Sequence, residues 1–155
     1  MRRTVKLGMA LASIALSGVM LAAQAQTQTQ FIVNVKLSAG DPARAGDIRI
    51  VAAPQFRTRA GQSATLTIGS ADSGYGVTIT PSSRDDGQIG VRVVVESHDA
   101  GRTGVSSFDV AASPGADAPT TPLKDASGAA LTTADGHPLF LDLRVSVARQ
   151  PSSRR

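Results

Sequence analysis

The chain has 155 residues, no cysteine, a formal net charge of +4 and an isoelectric point near 10.3. Three of its 16 basic residues, Arg2, Arg3 and Lys6, precede position 25, and the remaining 13 nearly balance 12 acidic residues. That balance argues against a nucleic-acid-binding domain, which concentrates positive charge on one face. The absence of cysteine excludes disulfides, thiolate metal sites and cysteine nucleophiles.

Arg2, Arg3 and Lys6 form a positive head, Leu7 to Ala23 an uncharged apolar run, and Ala23-Gln24-Ala25 a small-x-small cleavage pattern. This layout predicts a secretory signal peptide over residues 1–25. Gly8, Ser13, Ser17 and Gly18 dilute the run, leaving it short of the roughly 20 apolar residues a permanent span requires. A membrane anchor is the weaker alternative, and with no cysteine after the cut, lipid attachment there is excluded. The exported chain is expected to start near Gln26, in the periplasm or alternatively as a secreted protein. Residues 26–149 suit a single domain. Residues 150–155, ending in Arg154-Arg155, are expected as a disordered basic tail.

Aromatic residues make up only 3% of the chain, so the core must be built from Val, Ile, Leu and Ala. Period-two alternation recurs along residues 26–149 and helical spacing does not. Phe31, Val33, Val35 and Leu37 alternate with Gln30, Asn34 and Lys36, with Ile32 breaking the polar face. Ile48 and Ile50 begin a second strand that runs into Ala52-Ala53-Pro54, and Gln55 to Arg59 forms a third. Ala64, Leu66 and Ile68 alternate with Ser63, Thr65 and Thr67 as a half-buried strand that stops at Gly69. Gly74-Tyr75-Gly76 reads as a turn holding an aromatic. Tyr75, Val77 and Ile79 alternate with Gly76, Thr78 and Thr80, and Pro81 is expected to end that ladder because it lacks an N–H donor.

Arg84-Asp85-Asp86-Gly87 is a hairpin signal, since Asp-Gly tolerates positive φ. The strand from Ile89 to Glu96 should therefore pair with Tyr75–Thr80, with Val91, Val93 and Val95 on one face and Arg92, Val94 and Glu96 on the other. Val105 to Val110 gives another strand. Leu139, Leu141, Leu143, Val145 and Val147, set against Phe140, Asp142, Arg144 and Ser146, give the longest alternation. Between them, residues 112–136 hold Pro114, Pro119, Pro122, Gly115, Gly128 and Gly136. They are expected as a mobile surface loop pinned in part by Leu123 and Leu131. The fold class expected is all-β: an antiparallel β-sandwich or partly open barrel of about 7–8 short strands.

Three segments carry a family resemblance: Val51-Ala52-Ala53-Pro54-Gln55, Ala60-Gly61-Gln62-Ser63-Ala64-Thr65-Leu66-Thr67-Ile68-Gly69, and Gly76-Val77-Thr78-Ile79-Thr80-Pro81 followed by Asp86-Gly87 and Ile89 to Ser97. In order and spacing, residues 51–97 resemble part of the secretin family, the outer-membrane channel proteins of type II and III secretion and pilus systems. Gln55 stands where that family usually has a basic residue. The family's upstream ring-building modules and membrane-crossing strands have no counterpart in this sequence. The resemblance implies a secretin-like β-meander used alone in the periplasm as a binding or assembly element, with a protein partner in the cell envelope.

Candidate chemistry is sparse. Glu96-Ser97-His98-Asp99 places a hydroxyl, an imidazole and carboxylates together, but adjacent strand residues point to opposite faces, so a polar strand end before a turn is the simpler reading. His137 precedes Pro138 and reads as a loop residue. A small hydrolase or ligand-binding protein using His98 and His137 is the alternative function, and it needs the two imidazoles within roughly 5 Å of each other or of a shared carboxylate. Asp85, Asp86, Asp99, Asp135 and the histidines lack calcium-loop spacing, so no metal or cofactor is expected. No P-loop, Gly-x-Ser-x-Gly or His-Glu-x-x-His pattern occurs, and a non-enzymatic domain is expected. Arg57 and Arg59, on one strand face with Thr58 opposite, and Arg92 and Arg144, on expected outward faces, are the candidate partner-binding residues. The plainer reading of these arginines is charge that keeps strand edges soluble.

Overall fold

A computed structural model describes residues 29–148 apart from residues 71 and 100. The expected signal peptide and basic tail lie outside the described residues. The chain folds into two antiparallel sheets, as alternation without helical spacing requires. Among the described residues nine strands follow in order: β1 (Gln30–Ala39), β2 (Arg49–Ala52), β3 (Gln55–Arg59), β4 (Ala64–Gly69), β5 (Ser73–Ser83), β6 (Ile89–Asp99), β7 (Arg102–Ala112), β8 (Thr121–Pro122) and β9 (Leu139–Val147). Sheet A runs β2-β1-β9-β8, with β3 also on β1, and sheet B is the meander β4-β5-β6-β7. The arrangement is the expected β-sandwich.

Both inner faces come directly from the alternating apolar sets. Phe31, Val33, Val35 and Leu37 of β1 and Leu141, Leu143 and Val145 of β9 form one core with Val77 and Ile79 of β5 and Ile89, Val91, Val93 and Val95 of β6. The expected β5–β6 pairing is present, with Val77 opposite Val95 and Ile79 opposite Val93. Its tip closes through the Gly87 N–H donating to the Arg84 carbonyl at 3.2 Å, with Gly87 at φ +77°.

Pro81 does not end β5, which continues to Ser83 with Pro81 opposite Val91. In an antiparallel strand a residue's N–H and C=O point the same way. The Pro81 carbonyl accepts from the Gly61 N–H at 2.7 Å. The missing donor therefore faces the turn before β4 and leaves the β6 ladder intact. Gly74-Tyr75-Gly76 is likewise strand rather than turn. The turn sits one step earlier, where Gly69 takes φ +95° and a Cβ on Gly74 would lie 2.3 Å from the Ile68 carbonyl oxygen. β2 and β3 flank the same side of β1 as one strand interrupted at Ala53-Pro54, with a register shift at Leu37/Ser38.

Residues 112–136 hold more structure than a surface excursion. β9 would otherwise present orphan carbonyls, which need donors. The N–H groups of Gly115, Ala118 and Leu123 supply them, reaching the carbonyls of Val145, Leu143 and Leu139 at 2.7, 2.7 and 2.9 Å. Pro119 and Pro122 have no N–H to offer, which keeps this strip from becoming a long regular strand. The chain then folds into two small hairpins, bridged at Lys124–Ala130 and Thr132–Pro138. Asp125 Oδ1 caps the first by accepting from the N–H groups of Ser127 and Ala129 at 2.8 and 3.0 Å. Leu123 and Leu131 are buried in the core, as expected of them. Apolar periodicity is absent here because the inward positions, Ala112, Ala118, Leu123, Leu131 and the polar Thr133, are irregularly spaced and mostly small or polar.

Val93 is fully buried and its neighbour Arg92 is exposed. Val93→Asp should therefore lose several kcal/mol of stability, against less than about 1 kcal/mol for Arg92→Ala; equal effects in thermal melts would refute the assigned faces. The Lys124 N–H is held by Ser106 Oγ at 3.2 Å and the next residue's N–H by the Ala129 carbonyl at 2.8 Å. In limited trypsinolysis, Lys124 should be spared in the native protein and cut rapidly in Leu123→Ala, which leaves a cavity worth about 2–5 kcal/mol.

Candidate functional site

The outer face of sheet A is set by cross-strand register, because residues directly opposite in an antiparallel pair share a face. Arg59 lies opposite Gln30, Arg57 opposite Ile32, Arg144 opposite Asn34, and Asp142 opposite Lys36. Three of the four candidate arginines, Arg57, Arg59 and Arg144, therefore share this face. Arg92 does not. It stands on the outer face of sheet B between Thr80 and Asp109, so the four arginines form no single stripe.

A groove of about 700 Å³ runs along this sheet A face. Phe140, Ala53, Pro54, Pro42 and Ile48 line its apolar part, and Asn34, Lys36, Asp117, Thr120, Asp142 and Arg144 its polar part. Phe140 belongs to the outward-pointing set of β9 and is nevertheless only 4% exposed. Ile50 on neighbouring β2 is 61% exposed, so this end of the face is apolar and open at its margin.

The polar part is organised around Asp142. Lys36 Nζ lies 2.8 Å from Asp142 Oδ2, and the Thr120 hydroxyl donates to Oδ1. Partial burial pushes the Asp142 carboxyl up. The hydrogen bonds from Lys36 and Thr120, with the Lys36 charge, outweigh that and hold it below its ordinary value. Arg144 Nε lies 4.0 Å from Asp117 Oδ1. Arg57 and Arg59 make no ion pair among the described residues. Four cations thus stand on or beside this face against two carboxylates. The arrangement sets a net positive charge beside the apolar Phe140 end of the groove. Lys36, Thr120, Asp142 and Phe140 were not singled out from sequence. Lys36 and Asp142 come together only once β1 is known to pair with β9.

The histidines occupy a different part of the molecule. His98 stands on β6, its Nδ1 3.4 Å from Thr103 Oγ1 and its Nε2 3.8 Å from Glu96 Oε2. His137 is exposed in the second small hairpin, its backbone N–H donating to Thr133 Oγ1 at 3.1 Å. Glu96 is not shared between them, and no described carboxylate comes within 4.0 Å of His137. His98 lines a pocket of about 150 Å³ with Tyr75, Ser97, Asp99 and Thr132. Burial there raises the Tyr75 phenol, opposed by Arg49 and reinforced by Asp99 and Asp135. Among the described residues no three His, Cys, Asp or Glu side chains are grouped to hold a metal ion, and no helix is long and apolar enough to cross a membrane.

No family model, curated protein or solved structure matches the chain.

The Asp142 carboxylate should leave a signature in the pH dependence of stability. Its folded pKa lies below the unfolded value, so its contribution is present above about pH 4 and is lost as pH falls through the folded value. Asp142→Asn should lower stability by about 1 kcal/mol near neutral pH. The two melting curves should converge on acidification. A difference that persists undiminished into strong acid would show that Asp142 is held by something other than its charge.

Proposed function

We propose that this chain is an exported, non-enzymatic β domain of the cell envelope that binds a protein segment along the outer face of sheet A. The observation that carries the reading is the groove itself. It joins an apolar end at Phe140, Pro42 and Ile48 to a polar end at Lys36, Asp142 and Arg144, and Arg57 and Arg59 extend the same face. Aligned cations of this kind favour an acidic partner, and the fixed Lys36–Asp142 pair orders the groove wall before binding. The signal-peptide pattern at the N-terminus supports export, with the periplasm preferred to full secretion. The partial secretin resemblance of residues 51–97 supports an assembly role. Those residues include β3, which bears Arg57 and Arg59, and the meander that backs sheet A.

The test is charge reversal on one face against the other. Arg57→Glu combined with Arg144→Glu should weaken capture of an envelope partner at least tenfold and remove its salt sensitivity, leaving the thermal melt nearly unchanged because these side chains are exposed. Arg92→Glu, on the opposite face, should bind as the parent does. Equal binding by the double variant and the parent would overturn the assignment of this face.

A further inference from the structure

The two sheets present four lateral edges, and three carry features that discourage pairing with another chain. The β2–β3 edge has Arg49, Arg57, Arg59, the break at Pro54 and a register shift. The β8 edge is two residues long and contains Pro122. The β7 edge carries Arg102 and Asp109. Charge, proline, irregular register and short length are the usual means by which a sheet edge avoids unwanted pairing.

β4 has none of them. Its six residues, Ala64-Thr65-Leu66-Thr67-Ile68-Gly69, include no charge and no proline, and their pairing with β5 is unbroken from Ala64–Ile79 to Gly69–Gly74. No backbone hydrogen bond reaches the far side of this strand among the described residues. Leu66 is 42% exposed although it points to the inner face, directly opposite the fully buried Val77. The core simply runs out beneath the edge.

We infer that the β4 edge is a self-pairing surface at which two copies of this chain join antiparallel, making one eight-stranded sheet across a two-fold axis. The strand is complementary to itself. With Leu66 opposite Leu66 of the second copy, Ala64 meets Ile68 and Thr65 meets Thr67. Apolar residues then stay together on the inner face and threonines on the outer. Opposed Thr–Thr and aliphatic pairs stabilise a ladder, and no like charges are brought together. Antiparallel pairing of identical strands is isologous, so the assembly closes at two copies instead of growing. The exposed flank of Leu66 is covered in the process. Five cross-strand pairs bury less than the roughly 800 Å² per partner of a standard interface, so the dimer should form at micromolar or higher concentration. This surface is distinct from the partner-binding face of sheet A and does not depend on it.

Sedimentation velocity on the purified protein should show a mass that rises with concentration toward twice the monomer. Thr67→Lys, which adds charge at an exposed outward position, should hold the protein monomeric with an unaltered melt. The absence of native cysteine permits a second measurement that does not need Thr67→Lys. Directly opposed strand residues place their Cβ atoms within about 4.5–5.5 Å, which brings a disulfide within reach. Leu66→Cys should therefore oxidise to a covalent dimer much faster than Val105→Cys, an exposed position on the opposite edge. The inference falls if the protein remains monomeric throughout, if the Thr67→Lys variant still dimerises, or if the two cysteine variants cross-link at the same rate. A monomer whose edge instead captures a foreign strand, with capture lost in Thr67→Lys, would assign β4 to a different partner and equally overturn self-pairing.

Discussion

The pairing of β1 with β9 is the contact on which the remaining architecture rests. Its register is continuous from Phe31–Val147 to Ala39–Leu139, joining the first and last described strands at the centre of sheet A. β1 contributes an inward row of Phe31, Val33, Val35 and Leu37 and β9 one of Leu139, Leu141, Leu143 and Val145, which together cap the valine-rich β5–β6 hairpin. A core with so few aromatic rings depends on many medium-sized aliphatic side chains in close contact, because each buried one contributes only about 1.5–3 kcal/mol. Loss of this register would open both the core and the face that carries Lys36 and Asp142.

A central strand that arrives last also imposes a task on the segment before it. The chain leaves β7 in sheet B and must return to sheet A, covering one side of β9 on the way. Residues 113–138 do this with irregular backbone donors, two small hairpins and two buried leucines. Their glycines and prolines satisfy local geometry: Gly128 and Gly136 take φ of +87° and +81° in the two hairpins, and Pro119 and Pro122 interrupt the strip along β9. A composition that reads as loop can still be well packed when a neighbouring strand has hydrogen-bonding groups to satisfy.

The same pairing creates the two chemically different outer faces. On sheet A, residues separated by about a hundred positions in sequence become neighbours, and the groove between Phe140 and Arg144 combines apolar surface with an ordered ion pair. On sheet B, Arg92 faces Asp109 across the β6–β7 ladder. Arginines that look equivalent along the chain therefore stand on opposite sides of the sandwich.

Much of the fold was legible in the sequence because period-two alternation, Asp-Gly turns and strand-ending glycines act over a few residues. The β5–β6 hairpin shows this most clearly: its pairing, faces and exposed tip all follow from Tyr75–Thr80, Asp86-Gly87 and Ile89–Glu96. Pro81 marks the limit of such reading, since its effect depends on which neighbour its missing N–H faces, and only the sheet decides that. The shared face of Arg57 and Arg59 and the outward direction of Arg92 and Arg144 were also local information. Their division between two faces, the Lys36–Asp142 pair, the burial of Phe140 and the exposure of Leu66 were not. Alternation determines which way a side chain points; what lies opposite it is set by strand order, and strand order is a property of the tertiary structure alone.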